Sequence, residues 1–151
     1  MIHPKQKEGV FMLSKPEHGW ADFSLGTKRY NLSYLSNIPW DWVDRAIFGL
    51  ETLLPFEVLG HCEPGSMVCT VNLSECRIDF ELVRSNRVIR ATETLPVSML
   101  EFCRMLHKDL SEDLDVWAAW SPSSHMEKED LQARLDRLEK LIAEQSKHFH
   151  S

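Results

Sequence analysis

A chain of 151 residues, 43% hydrophobic and 26% charged, is long enough for one ordinary domain plus an appendage and too apolar to be wholly disordered. Its formal net charge of −6, with Lys and Arg scattered along the sequence, argues against a general nucleic-acid binder, because neutralising phosphates takes clustered cations. No stretch approaches the ~20 consecutive apolar residues of a membrane-spanning helix.

Residues 1–18 read as a tail in which Pro4 and Pro16 flank an apolar patch at Val10–Leu13 that could add one edge strand. Met1 to Lys7 lacks the apolar run of a secretory leader, so the expectation is a cytoplasmic protein whose four cysteines, Cys62, Cys69, Cys76 and Cys103, stay reduced. From Gly19 the texture changes. Trp20, Phe23 and Leu25, then Tyr30, Leu32 and Tyr34, surround a Gly26-Thr27-Lys28 turn and predict a β-hairpin. Pro39, after Asn37 and Ile38, suits a first helical turn; Val43, Ile47, Leu50 and Leu54 then share one helical face, with Asp41 and Asp44 near the start and Pro55 as the stop.

Four short strands follow: 56–62, 67–73, 76–83 and 87–95, separated by turn residues. Alternation puts Met67, Cys69, Val71 and Leu73 on one face with Cys76, Ile78, Phe80 and Leu82, and turns Arg77, Asp79 and Glu81 to the other. Pro96 opens a second helix with Met99, Phe102, Cys103, Leu106 and Leu110 inward, ending near Glu112, Asp113 and Asp115. The order β-β-α-β-β-β-β-α with short turns predicts an α+β class: a two-layer antiparallel sheet covered by two helices. The body spans 19–120, a Ser/Pro linker 121–125, a separate C-terminal helix 126–147 and a frayed tail 148–151 that holds His148, Phe149 and His150.

In that last helix Leu131, Leu135, Leu138 and Ile142 recur at alternating four- and three-residue steps, a heptad seam. Ser124 and Glu127 have capping-box spacing, and Asp130 with Arg134 and Asp136 with Lys140 form acid-first four-residue pairs. In a parallel dimer Arg134 would occupy a g position and meet Glu139 at e. The expectation is self-association, a homodimer through Leu131, Arg134, Leu135, Leu138, Glu139 and Ile142; docking onto the chain's own body and capture of a partner's helix are the alternatives.

Elsewhere the chemistry-bearing residues are sparse. The cysteines lack the close C-x-x-C pairs of a zinc site, and Cys69 and Cys76 fall in apolar rows, so they read as structural thiols with no metal or other cofactor implied. His61-Cys62-Glu63 joins a base, a nucleophile and a carboxylate, but neighbouring strand residues face opposite sides; a ligand-binding domain or hydrolase would need His107 or His18 to approach from elsewhere. Trp40-Asp41-Trp42, with Asp44 and Glu51, forms an acidic-aromatic patch and is the predicted partner-binding surface. Arg84, Arg87 and Arg90 gather at a Ser85-Asn86 turn; a solvated turn is the plain reading, and a regulator touching nucleic acid the alternative.

Gly19-Trp20-Ala21 through Tyr34-Leu35, Pro39 to Leu54 and the strands to Leu95 together resemble small bacterial proteins of uncharacterised, immunity-protein-like families, in which a Trp-containing hairpin precedes a Pro-started helix, a meander and a second helix. The resemblance covers residues 19–120 and implies a non-enzymatic role, binding and neutralising or regulating another protein; the heptad helix lies outside it. The sequence thus points to a non-catalytic protein-interaction module with an unknown protein partner.

Overall fold

A computed structural model describes residues 11–120 and 127–149. It is an α+β fold with two antiparallel sheets, one of two strands and one of four, and a layer of helices. Strands β1 (Trp20–Ser24) and β2 (Arg29–Ser33) form the first hairpin, with Phe23 opposite Tyr30 and Ala21 opposite Leu32. Those four side chains are buried, as period-two alternation requires of a strand with one covered face. The preceding segment belongs to the core instead of trailing from it. Met12 and Leu13 are fully buried, and single bridges tie Leu13 to Phe23 and Glu17 to Trp20 without a full edge strand.

A π-helical turn at Ile38–Trp42, with Pro39 at its start where a missing N–H costs no helical bond, leads into helix α1 (Val43–Thr52). Val43, Ala46 and Leu50 are buried, but the helix stops at Thr52 because Leu53 takes a left-handed conformation (φ 59°) whose N–H bonds the Gly49 carbonyl at 2.7 Å. Leu54, expected on the inner face, is therefore exposed. Ser36, buried in the loop before α1, joins three parts of the chain: its Oγ accepts from His61 N at 2.6 Å, and its carbonyl accepts from Trp120 Nε1 at 2.6 Å.

The four-stranded sheet is a meander in the order β3 (Phe56–His61), β4 (Ser66–Val71), β5 (Cys76–Arg84) and β6 (Arg87–Leu95). Its covered face carries Phe56, Val58, Met67, Cys69, Val71, Cys76 and Ile78; Leu73 lies past the end of β4 and is exposed. Helix α2 (Met99–Glu112) starts with a capping box: Ser98 Oγ accepts from Glu101 N at 3.1 Å, and the Glu101 carboxylate reaches back to Ser98 N. All five predicted core residues of this helix are buried. A short helix α3 (Leu114–Ala118) then buries Trp117 beside Trp120, their ring centroids 5.1 Å apart.

Helix α4 (Lys128–Phe149) packs along both α1 and α2. It is no separate appendage, which corrects the expected organisation: the helical layer contains α1, α2 and α4. The predicted linker, Ser124 of the predicted cap and the last residues of the tail lie outside the described residues.

Asp109, 1% exposed on α2, accepts from Met12 N at 2.7 Å and Leu13 N at 2.9 Å through Oδ2. A buried carboxylate with two N–H donors holds the N-terminal segment against the helix layer. Asp109→Ala strands both donors in the interior and is expected to cost about 3 kcal/mol or more in urea unfolding, with Asp109→Asn, which keeps one acceptor oxygen, losing less. Equal stability of the two variants would show that the carboxylate does not hold this segment.

Candidate interaction site

The predicted acidic-aromatic patch is covered by the chain's own α4. Trp42 is fully buried, its indole N–H donating to the Leu59 carbonyl at 3.0 Å and its ring edge-on to Phe23 at 5.3 Å. Trp40 is half-buried beneath the Arg134 guanidinium, which lies 4.0 Å above its ring, and Arg134 also pairs with Asp44. Glu51 pairs with Arg137 at 2.5 Å, and only Asp41 of the five remains exposed without such a cover. Within the chain, Arg134 and Arg137 of α4 thus engage Trp40, Asp44 and Glu51 of this patch.

The heptad seam is likewise used within the chain. Leu131, Leu135 and Leu138 are fully buried and Ile142 half-buried, while Glu139 sits 3.5 Å from His107 of α2 instead of meeting an Arg134 from another copy. Leu141, at a g position and 4% exposed, widens the buried stripe beyond two residues per heptad, which suits a helix lying on a core. Arg104 to Ser146 Oγ (2.7 Å) and Gln145 Nε2 to the Leu50 carbonyl (2.9 Å) fasten its distal turns. Burial pushes the Asp44 carboxyl above the usual carboxylate range although Arg134 pulls it back, so desolvation offsets much of what that pair gains and the leucine stripe dominates the docking.

The alternative catalytic residues are not brought together. His107 pairs with Glu139 of α4, whereas Cys62 lines a groove with Tyr30 and Phe80. His61 and Glu63 flank Cys62 at the end of β3, with Glu63 exposed. Burial raises the Cys62 thiol, and a hydrogen bond with Cys76, then burial, raises Cys69; burial also raises Cys103. A thiol held protonated is a poor nucleophile. Among the described residues no group of three or more His, Cys, Asp or Glu is placed to hold a metal ion, and no helix is long and apolar enough to cross a membrane.

What the structure leaves open is the far end of the sheet. Strand β5 pairs with β4 only as far as Glu81, opposite Ser66, while β5 and β6 continue together to Arg84 and Arg87. Ser85 and Asn86 close this ribbon with positive φ at both positions (51° and 64°), the two-residue hairpin turn whose twist matches the strands. The overhang carries Val83, Val88 and Ile89 at 57%, 53% and 49% exposure. Leu82 pairs with Ile89 on the face that continues the core, and Val83 with Val88 on the other. Beside the first face lies a groove of about 570 Å³ lined by Tyr30, Cys62, Phe80, Ile89 and Ala91 together with Lys28 and Arg29.

The sheet's two edges differ. On β3, Trp42 caps the Leu59 carbonyl and Ser36 takes the His61 N–H. On β6, the closing pair of a two-residue hairpin exchanges both its hydrogen bonds, so Arg87, Ile89 and Ala91 turn their backbone groups to β5 and Val88, Arg90 and Thr92 turn theirs outward. The β1–β2 turn closes the other end of β6: Thr27 bonds Glu93, and a Cβ at Gly26 would lie 2.3 Å from Leu95 Cδ2. Nothing but the arginine cluster and the turn signal marked this region in the sequence. No family model, curated protein or solved structure matches the chain.

Two measurements check this assignment. Leu135→Ala is expected to lower unfolding stability by about 2–4 kcal/mol and Arg134→Ala by roughly 1, both independent of protein concentration; a concentration-dependent midpoint would return the seam to self-association. Native labelling at mildly alkaline pH should modify Cys62 first and leave Cys69, Cys76 and Cys103 until unfolding, read by mass spectrometry of peptides; simultaneous labelling would contradict the burial described.

Proposed function

We propose that this protein is a non-catalytic interaction module that binds another protein through the overhanging β5–β6 hairpin and the groove beside it. The observation that carries this reading is the half-exposed apolar ribbon of Val83, Val88 and Ile89 on strands that extend past the rest of the sheet. Folding gains little from such a ribbon, since a two-stranded hairpin is marginal by itself and these side chains stay in water. Ile89 beside the groove, with Val83 and Val88 on the other face of a ribbon whose outer edge is unpaired, is instead what a docking partner covers.

The resemblance of residues 19–120 to immunity-protein-like families fits the same role. Four free thiols fit a reducing compartment. Because α4 buries its seam in cis, the same reading makes the isolated chain a monomer, replacing the dimer expected from the heptads. A second exposed set, Phe48, Leu53 and Leu54, lies at the end of α1.

Affinity purification of the tagged chain from its native cells, compared with Ile89→Glu and Val83→Glu, tests the assignment. The variants should lose a stoichiometric partner while unfolding within about 0.5 kcal/mol of the parent, as exposed positions do. Retention of the partner by both, with loss in Phe48→Glu, would move the site to α1. Light scattering should give one chain per particle; a dimer that disappears when the chain is cut before α4 would overturn the monomer.

A further inference from the structure

The geometry points to an acidic, extended segment of a partner protein as the occupant of this site, added as a strand along β6. This inference rests on the interaction reading above and goes further by naming the chemistry of what binds. In a chain with an acid excess of six, Lys28, Arg84 and Arg87 have no carboxylate partner among the described residues. Other cations nearby are matched: Arg90 pairs with Glu81 at 3.0 Å, and Arg29 faces Asp22 at 3.8 Å.

These unmatched cations border the place where an added strand would lie. Arg84 and Arg87 are opposite each other at the closing pair, on the same face as Leu82 and Ile89; Lys28 lines the groove together with Ile89. An incoming strand beside Val88–Thr92 would find outward N–H and C=O groups on Val88, Arg90 and Thr92. Its alternate side chains on the groove side would fall beside Ile89 and Ala91 and near the cations. The complement is therefore an extended peptide in which apolar and acidic residues alternate or adjoin. Screening confines charge effects to about 8 Å at physiological ionic strength, so this local cationic set governs docking over the chain's overall negative charge.

Selection from a display library of random peptides of about ten residues, long enough to run past the open edge, tests the inference on the full chain. Enriched sequences should carry net negative charge with interleaved apolar residues. Arg84→Glu combined with Arg87→Glu, both exposed positions at a turn, should weaken the best synthetic peptide roughly tenfold or more by fluorescence anisotropy. N-methylation of alternate residues of that peptide should abolish binding in one register and spare it in the other, the signature of strand pairing.

Neutral or basic enrichment, no enrichment, unchanged affinity in the double variant, or equal tolerance of both N-methyl registers would each overturn the inference. So would tighter binding of a single-stranded oligouridine to the same arginines, or a concentration-dependent dimer lost in the double variant. If the hairpin variants shed the cellular partner yet the library yields basic peptides, the docking surface stands and the acidic strand fails. If the cellular partner ignores the hairpin, the docking surface itself fails.

Discussion

The stripe of Leu131, Leu135, Leu138 and Leu141 between α1 and α2 is the constraint on which the rest of the molecule depends. Burying an aliphatic side chain is worth about 1.5–3 kcal/mol, so four of them contribute on the scale of the 5–15 kcal/mol by which whole domains are stable. No comparable sum comes from the polar contacts around the stripe. The Arg134–Asp44 pair is partly desolvated and the Arg137–Glu51 pair half-exposed, and pairs of those kinds sit near break-even or below 1 kcal/mol. Their contribution is direction: Arg134 between Trp40 and Asp44 sets how α4 is rotated, and Gln145 on the Leu50 carbonyl sets how far along α1 it lies. Removing the helix would leave the tops of α1 and α2 apolar and wet.

Two buried polar hubs complete the enclosure. Asp109 holds the N-terminal segment beside α2, and Ser36 joins the loop before α1 to the end of β3 and to Trp120. Both act on backbone donors or acceptors far apart in sequence, where an unmet hydrogen bond in the interior costs more than a met one gains. Through them the segments outside regular structure become part of the core. The β3 edge is partly covered in the same way, since Trp42 donates to the Leu59 carbonyl and Ser36 accepts from the His61 N–H.

Much of this fold was legible because its strands alternate and its helices begin with clear signals. Ile78 and Arg77, one buried and one exposed, report the sheet's two sides directly, and the Met99, Phe102, Cys103, Leu106 and Leu110 face of α2 repeats at helical spacing. The cap of that helix was written as Ser98-x-x-Glu101, although Pro96 was the more conspicuous start. Less legible was what α4 packs against. Periodicity specifies that an apolar stripe must be covered and is silent on the cover; the residue that decides is Leu141, whose g position makes the stripe too wide for a two-helix seam. The acidic-aromatic patch misled for the matching reason: Asp44, Glu51 and Trp40 are complementary to Arg134 and Arg137 of the same chain, and sequence alone does not say which basic partner arrives first. In the sequence nothing distinguishes Asp109 from a surface acid, because its partners, two backbone N–H groups almost a hundred residues away, leave no trace in composition.

The proposed site lies at β5–β6 because the structure separates apolar residues that are covered from those that are half-exposed. In a strand, Val83 and Ile89 have the same pattern as any core residue; only the register, in which β4 stops opposite Glu81, shows that they lie past the end of the neighbouring strand and stay half-exposed. Arginines at an edge commonly protect it from pairing with other strands, and Arg90, matched to Glu81 across the ribbon, fits that use. Arg84 and Arg87 do not, because they flank the turn, beyond the outward-facing backbone of Val88, Arg90 and Thr92, and lie on the groove side of the sheet. A device that only repelled other strands would place charge where they pair. Charge set beyond the open edge, on the groove side of the sheet, would discriminate among strands by their own charge, which is what the proposed selective edge requires.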